Sequence, residues 1–166
     1  MSDTITIRPA APEDVSLVLQ FIRDLARYER LEHEVSATEA QLREALFGER
    51  RSAEVVLACD GGAPVGFALF FHNFSTFKGR PGIYLEDLYV RPEARGRGIG
   101  KQLLACLART AVERRCARLE WAVLDWNEPS IGFYRSLGAV PMSEWRVFRL
   151  TGDALSLLAG DGPAQR

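Results

Sequence analysis

The sequence predicts an α/β fold in a single domain, with a mixed, mostly antiparallel central sheet flanked by helices. Three observations predict it: the size and composition of the chain, a hairpin signal in its first half, and strands that alternate with helices in its second half. The 166 residues are 47% hydrophobic and 26% charged, which is enough apolar material for the core of one domain. We expect this domain to span residues 1–159, with residues 160–166 as a flexible tail.

The first half of the chain begins with a strand at residues 5–8 and a long helix at residues 12–30. Pro12 suits the first turn of that helix, because its missing N–H has no partner to lose there. Thr38 and Gln41 have the spacing of a capping box, which predicts the start of a second helix.

Two strands follow at residues 53–59 and 65–71, joined around Asp60-Gly61-Gly62. An Asp-Gly pair between apolar runs is typical of a tight hairpin turn, so these strands are expected to pair antiparallel.

The second half alternates strands and helices, which favours a parallel crossover. Strands are expected at residues 83–90, 119–123 and 146–150, and helices at residues 101–116 and 127–137. Apolar residues of the first of these helices and its preceding turn share one face, and they are Ile99, Leu103, Leu104, Leu107 and Ala111.

Arg95-Gly96-Arg97-Gly98-Ile99-Gly100 lies between the predicted strand at residues 83–90 and the helix after it. Glycines let the backbone approach a ligand, and the free N–H groups at a helix start favour a phosphate, so this order predicts a pyrophosphate cradle. A plain turn with two solvated arginines is an equally good interpretation of this loop alone. The spacing excludes the Gly-Lys-Ser/Thr loop and the dinucleotide fingerprint.

A second informative segment lies downstream of the loop. Asn127 suits an N-cap, Pro129 suits a first helical turn, and Gly138 suits the residue after a helix end. Asn127, Ser130 and Tyr134 are spaced so that on a helix they share one face and can touch one ligand. From this segment alone, a capped helix with a half-buried Tyr134 is the preferred interpretation.

Together, the two segments resemble the acetyl-CoA-binding half of the GNAT N-acetyltransferases. Arg27-Tyr28-Glu29, Leu85-Glu86-Asp87-Leu88-Tyr89-Val90 and Trp126-Asn127-Glu128-Pro129-Ser130 are similar to the diamine branch, the spermidine/spermine and thialysine acetyltransferases. The resemblance extends from Ile7 to about Leu158. It implies the GNAT fold, acetyl-CoA as cosubstrate, and a homodimer in which C-terminal elements pack across subunits.

The resemblance also implies where acetyl-CoA binds. The N–H groups of Leu88 and Val90 would hydrogen-bond the pantetheine arm or the acetyl carbonyl, and the glycine loop would hold the pyrophosphate. The expected cofactor-binding residues are Leu88, Tyr89, Val90, Arg95, Gly96, Arg97, Gly98, Ile99, Gly100, Lys101, Asn127, Glu128, Pro129 and Ser130.

Acetyl transfer to an amine requires one group that takes a proton and one that gives a proton. An alkyl ammonium with a pKa near 10.4 loses its proton at neutral pH at a cost of about 4.6 kcal/mol. Glu86 is our candidate base, acting directly or through water, and Asp87 is the second choice, expected on the opposite face of the strand. Tyr134 is the candidate acid, because a phenol can protonate the departing thiolate; the resemblance assigns it the same role.

The expected substrate is a small cationic amine: a polyamine, a diamine or a thialysine-like amino acid. Tyr28, Glu29, Glu32 and Glu34 form an acidic, aromatic stretch that suits an ammonium, although a solvated helix end is an equally good interpretation. Only one of Glu120 and Trp121 can face the same cleft. The expected substrate-binding residues are Tyr28, Glu29, Glu86, Glu120, Trp121 and Ala122.

Composition and charge exclude several other partners. A net charge of −1 with scattered basic residues gives no reason to expect nucleic acid or an anionic membrane. Three cysteines without Cys-x-x-Cys spacing and two isolated histidines predict neither a disulfide framework nor a metal site. The start of the chain is unlike a leader peptide, so we expect a cytoplasmic protein.

Two other functions stay open at this point, a non-catalytic acyl-CoA sensor and an acetyltransferase acting on protein N-termini or lysines. The presence of both Glu86 and Tyr134 argues against a sensor, which needs neither a base nor an acid. The acidic segment from Tyr28 to Glu34 suits a lid over a small cation better than it suits an open peptide groove.

Overall fold

The computed structural model describes residues 4–160, and it confirms the mixed α/β fold. Five strands form one sheet whose spatial order follows the chain, and only the last pair of neighbours is parallel. The strands are β1 Ile5–Pro9, β2 Glu54–Asp60, β3 Ala63–Ser75, β4 Arg80–Val90 and β5 Leu119–Trp121. The hairpin predicted between β2 and β3 is confirmed, as is the parallel crossover between β4 and β5.

Within the described residues, five α-helices accompany the sheet. They are α1 Val15–Tyr28, α2 Glu39–Phe47, α3 Ile99–Glu113, α4 Glu128–Ser136 and α5 Gly152–Leu158. The capping box predicted for α2 is confirmed, because Gln41 N donates to Thr38 Oγ1 and Thr38 N donates to Gln41 Oε1.

The first helix begins later than the sequence predicts. Residues Pro12–Asp14 form a single 3₁₀ turn, and the α-helix starts only at Val15. The Asp14 carboxylate accepts a hydrogen bond from Ala11 N at 2.7 Å and pairs with the Arg8 guanidinium at 2.7 Å. These contacts provide an acceptor for the backbone N–H of Ala11 and attach the start of the helix to β1. They also hold the pKa of Asp14 below its ordinary value.

The main core lies between the sheet and the pair α1 and α2. Phe21 of α1 stacks on Phe67 of β3 with ring centroids 5.5 Å apart, and it also contacts Tyr89 of β4 at 5.8 Å. The buried members of this core are Val18, Phe21, Leu46, Val55, Leu57, Cys59, Phe67, Leu69 and Tyr89. These buried residues of β3 and β4 thus lie on the face of the sheet that α1 covers.

Helix α3 covers the other face of the sheet. Its five predicted apolar positions, from Ile99 to Ala111, are all buried, so that prediction is confirmed. At its end, Arg114 lies over the ring of Phe70 at 5.9 Å and forms two hydrogen bonds with Glu54 of β2, at 2.6 and 2.8 Å. This ion pair attaches the end of α3 to the sheet.

The strand predicted at residues 146–150 is wrong. These residues are neither helix nor strand, and they are exposed, with Val147 at 87% and Phe148 at 92%. A strand is stable only when a neighbour accepts and donates its backbone hydrogen bonds and when one face is covered, and an apolar sequence alone supplies neither.

The chain consists of two compact units. The first ends at Leu124 and contains the whole sheet, and the second begins at Asp125 and contains α4 and α5. The expected domain span of residues 1–159 stays a prediction, and residues 161–166 of the expected tail lie outside the described residues. Among residues 4–160, no helix is long and apolar enough to cross a membrane.

Candidate active site

The loop between β4 and α3 has the geometry of an anion cradle. Gly96 and Gly98 have φ angles of 78° and 75°, in the left-handed region that favours glycine, and Gly98 is the N-cap of α3. Gln102 N donates to Gly98 O at 3.0 Å, so the first helical hydrogen bond closes there. The N–H groups of Ile99, Gly100 and Lys101 therefore begin the helix without intrahelical acceptors, at its positive end.

Both arginines of this loop make contacts within the first unit. Arg97 pairs with Asp60, at the end of β2, with 2.5 Å between Nη1 and Oδ2. This pairing lowers the pKa of Asp60 from its ordinary value and attaches the loop to the β2–β3 hairpin. Arg95 donates from Nε to the carbonyl of Val90 at 2.9 Å, and its guanidinium lies over the ring of Tyr28.

Strand β4 loses its parallel neighbour halfway along its length. Strand β5 pairs only with Ile83–Leu85. On the β3 side of β4, Arg91 N donates to Val65 O at 2.8 Å. Successive N–H groups of an antiparallel strand point alternately toward and away from the neighbouring strand, so those of Leu88 and Val90 point away from β3. These two donors point to the side on which β5 has already ended.

A β-bulge interrupts β4 beside this region. Leu85 pairs with Phe70 and Asp87 pairs with the adjacent residue Leu69, so Glu86 is an extra residue in β4. Phe70 and Leu69 point to opposite faces of the sheet, and therefore Leu85 and Asp87 do as well, although they are two residues apart. The normal alternation of side chains is reversed across the bulge.

The bulge places acidic side chains together on the face covered by α1. Asp87 shares this face with Leu69 and Tyr89, and Glu86 shares it by alternation with Tyr84, which pairs with Phe71 on the same side. Glu120 joins them, because it is the in-register neighbour of Tyr84 on β5. The expectation that Asp87 faces away from Glu86 is thus wrong, because it assumed an uninterrupted strand.

Electrostatics single out Asp87 within this acidic face. Burial, followed by the like charges of Glu86 and Glu29, raises its pKa to about 7. Glu29, directly after α1, also has a raised pKa because it is partly buried. Tyr84 has a raised pKa, caused first by burial and then by the charges of Glu86 and Glu120. Among the described residues, no group of three His, Cys, Asp or Glu side chains could hold a metal ion.

The second unit contains the other predicted motif, on helix α4. Asn127 is buried at the N-cap and its Oδ1 accepts a hydrogen bond from Ser130 N at 3.3 Å, while Gly138 follows the helix end with a φ of 87°. Tyr134 is half-buried, with its ring 5.5 Å from that of Phe133. The predicted capping pattern of this helix is confirmed.

Comparison with known proteins decides the family of this chain. The model of the acetyltransferase (GNAT) family matches residues 19–139. The chain belongs to the GNAT family. This GNAT protein is an acetyl-CoA-dependent N-acetyltransferase, as its sequence motifs indicated.

Similar proteins cover nearly the whole of this GNAT chain. A thialysine N-epsilon-acetyltransferase of Bos taurus is 40% identical, over 94% of this chain and 98% of its own length. An L-ornithine N5-acetyltransferase of Arabidopsis thaliana is 33% identical, over 92% and 86%. Among solved structures, an integron cassette protein of V. cholerae is 30% identical with a TM-score of 0.78, over 93% and 97%.

The residues predicted for substrate binding on and after β5 lie in different environments in the GNAT fold. Glu120 Oε1 accepts a hydrogen bond from Asn73 Nδ2 at 3.1 Å and forms an ion pair with Arg118 Nε at 2.7 Å. Trp121 pairs with Leu85, on the face opposite to Glu120, and Ala122 is exposed just after the strand. Beyond α1, Glu32 pairs with Arg27 at 2.8 Å. Glu29 is the acidic residue of this segment whose charge raises the pKa of Asp87.

Three features of the GNAT site were missed by sequence reasoning. They are the bulge at Glu86, the contact of Arg95 with Tyr28, and the pairing of Arg97 with Asp60. No glycine or proline marks the bulge, so no local signal could have revealed it. The position of Asp60 in a hairpin turn was predicted, but nothing in the sequence indicates that this hairpin reaches the glycine loop.

Proposed function

We propose that this enzyme acetylates a primary amine of a small cationic substrate, such as a thialysine-like amino acid, a diamine or a polyamine. The observation that carries the proposal is the acidic face of the sheet at Glu86 and Asp87, together with the charge of Glu29 at the end of α1 that acts on Asp87. An ammonium group is favoured there by opposite charge, and a neutral or anionic acceptor is not. The names of the two relatives support an amino acid with a side-chain amine.

The glycine loop and the edge of β4 are the proposed binding site of acetyl-CoA, whose thioester supplies the acetyl group. The N–H groups at the start of α3 fit the pyrophosphate, because they are unpaired within the helix and lie at its positive end. The N–H groups of Leu88 and Val90 fit the amide groups of the pantetheine arm, since they need acceptors where β5 has ended. Asn127 and Ser130, on the second unit, are also proposed to contact the cofactor.

Glu86 is the proposed base, and Asp87 is proposed as a second carboxylate that can accept the proton. The reaction requires a neutral amine, which is scarce at pH 7 because an alkyl ammonium has a pKa near 10.4. Glu86 is exposed and Asp87 is half-buried on the same face, so a water molecule between the amine and these carboxylates can pass the proton to either one. A carboxylate with a pKa of about 7 holds a proton more readily than an ordinary aspartate does.

Tyr134 is the proposed acid. The amine nitrogen attacks the thioester carbonyl, the carbon–sulfur bond breaks, and the thiolate takes a proton from the phenol. Phenols ordinarily have a pKa of about 10, so they carry a proton at pH 7 that can be donated to a thiolate whose conjugate acid has a pKa of about 8.5. Its place on α4, two turns after the Asn127 cap, is the position that the family resemblance assigns to the acid.

A turnover assay tests the function directly. Free thiol is measured with acetyl-CoA and each of four acceptors: thialysine, ornithine, spermidine and a lysine-containing peptide. We expect turnover with at least one of the small amines and a much lower kcat/KM for the peptide. Turnover with the peptide alone would contradict the proposed substrate class, and binding of acetyl-CoA without turnover would favour the sensor.

The apolar surface of the second unit supports a homodimer as part of the proposal. Trp145, Val147, Phe148, Leu157 and Leu158 are between 69% and 92% exposed. Large apolar side chains that are exposed to this degree are typical of subunit interfaces.

A further inference from the structure

Arg95 connects the glycine loop to the end of helix α1. Its guanidinium carbon lies 5.2 Å from the ring centroid of Tyr28 and 5.6 Å from that of Tyr89, so the group contacts two aromatic rings. Its Nε also donates to Val90 O at 2.9 Å. These contacts orient the side chain toward α1 and β4, which is a different role from the phosphate contact that the sequence suggested.

The end of α1 that Arg95 touches acts electrostatically on the acidic face of the sheet. Tyr28 is the last residue of α1, and Glu29 follows it directly. The charge of Glu29 acts on Asp87, whose side chain lies on the face of the sheet that α1 covers. The position of Tyr28 therefore determines where Glu29 stands relative to the carboxylates of β4.

We propose that Arg95 is a positioning residue that couples the binding of the CoA cosubstrate to the binding of the amine. The inference rests on the proposed function, because it takes the two ligand sites from it. Residue 96 follows Arg95 directly, so a loop closed around a phosphate fixes the backbone of Arg95. The fixed guanidinium then holds the ring of Tyr28, and with it the end of α1 that presents Glu29 to an ammonium.

Such coupling is reciprocal. If CoA tightens the binding of the amine, the amine must tighten the binding of CoA by the same factor. A cation–π contact between partly exposed groups corresponds to a factor of about two to five in an equilibrium constant. We therefore expect the amine to lower the Kd of CoA by about two- to five-fold.

The experiment measures the Kd of coenzyme A by calorimetry, with and without saturating thialysine, so that no acetyl group is transferred. The ratio of the two Kd values is the coupling factor. Tyr28→Leu removes the aromatic face and should reduce the factor to one. Tyr28→Phe keeps the face and loses only the hydroxyl, so it should retain the coupling of the parent enzyme.

Arg95→Gln is the second variant, and it also should reduce the coupling factor to one, because it removes the cation. Thermal melts check that each variant folds, and Tyr28 is 39% exposed, so its replacement leaves no large cavity. An unchanged factor in either Tyr28→Leu or Arg95→Gln overturns the inference, and so does a loss of coupling in Tyr28→Phe.

The outcome separates this inference from the proposed function. A parent enzyme that acetylates a small amine but shows a coupling factor of one overturns the coupling alone. A parent enzyme that binds no coenzyme A, or that acetylates no amine of the panel, overturns the proposed function, and the inference falls with it.

Discussion

Glu86 and Asp87 are neighbours in sequence, and both side chains lie on the face of the sheet that α1 covers. They do so because the bulge in β4 reverses the alternation between Leu85 and Asp87. Two carboxylates on one face repel each other, and burial together with this repulsion raises the pKa of Asp87. The consequences of this arrangement can be measured.

Replacing Asp87 with asparagine should stabilise the protein at alkaline pH. The pKa of Asp87 is about 7 in the folded protein and 3.8 ordinarily. At pH values between these two pKa values, the Asp87 carboxyl is ionised in the unfolded chain and protonated in the folded chain. The parent therefore loses stability as the pH rises from 4 to 7. The Tm of Asp87→Asn minus that of the parent should therefore increase across this pH range. Each kcal/mol of unfolding free energy recovered corresponds to about 2 to 4 °C.

Circular dichroism melts at several pH values provide the measurement. Asp153→Asn is the matched control, because Asp153 lies exposed in α5. If the difference in Tm between Asp87→Asn and the parent does not change with pH, the pKa of Asp87 is the same in the folded and the unfolded chain, and the prediction is wrong.

Binding of the amine should release protons near neutral pH. An ammonium beside Asp87 favours the ionised carboxylate and lowers its pKa from about 7, so the proton held by the free enzyme is lost on binding. Calorimetry in buffers of different ionisation enthalpy measures the number of protons released. We expect a fraction of one proton at pH 7 for the parent and about none for Asp87→Asn. Equal release by both proteins would assign the proton to another group.

Gly98→Asp should weaken the binding of acetyl-CoA. A carboxylate at the N-cap of α3 repels a phosphate at that place, and the positive φ of Gly98 strains any other residue. We expect the Kd to rise by at least about tenfold, which corresponds to about 1.4 kcal/mol.

Gly79→Asp is the control for Gly98→Asp. Gly79 lies between β3 and β4 with a φ of 61°, and a Cβ meets no atom within 4 Å at either glycine. The control therefore introduces the same charge and a similar backbone strain away from the glycine loop. Acetyl-CoA that binds equally well to both variants would contradict the phosphate site.

Tyr134→Phe should lower kcat by about 10²- to 10⁴-fold with little change in the KM of the amine. The ring and its contact with Phe133 are kept, and only the proton is removed. Steady-state kinetics decide this, and an unchanged kcat would remove Tyr134 from the reaction and leave it as a packing residue of α4.

Glu86→Gln should instead change the pH dependence of the rate. Without the proposed base the reaction depends on the neutral amine, so kcat/KM should continue to rise toward the amine's own pKa. Asp87→Asn measured beside it shows how the two carboxylates divide the proton transfer. A pH profile that is identical in the parent and in both variants would leave deprotonation to solvent.

The exposed leucines of α5 predict self-association. Leu158→Glu should dissociate a homodimer, because a charge would be buried in an apolar interface. Val112→Glu makes a similar change at a site that is 78% exposed, against 75% for Leu158, but on α3. Sedimentation at micromolar concentration should give a dimer for the parent and for Val112→Glu. A monomeric parent would rule out a stable dimer.

The parts of the fold that local chemistry determines could be predicted from the sequence. The periodicity of α3 identified its buried face, and side-chain caps identified the starts of α2 and α4. The strand predicted at residues 146–150 failed because strands depend on a partner, which the sequence of one segment cannot specify.

The chemistry of the site was only partly predictable, for the same reason. The acidic residues and the glycine loop were recognisable as types of residue in a known order. Their relative positions depend on the register of β4 against β3, and the extra residue at Glu86 changes which face each carboxylate occupies. One backbone irregularity thus altered the interpretation of the two residues on which the proposed mechanism depends.

The spatial order of the strands has a consequence for folding kinetics. Strands β2, β3 and β4 form a meander joined by two short turns, so their pairing requires only local loop closure. The bulge lies within the β3–β4 hairpin, whereas β5 must wait for the long crossover through α3. We therefore expect the carboxylates of β4 to acquire their register early, before the last strand docks, and that part of the site to form with the folding nucleus.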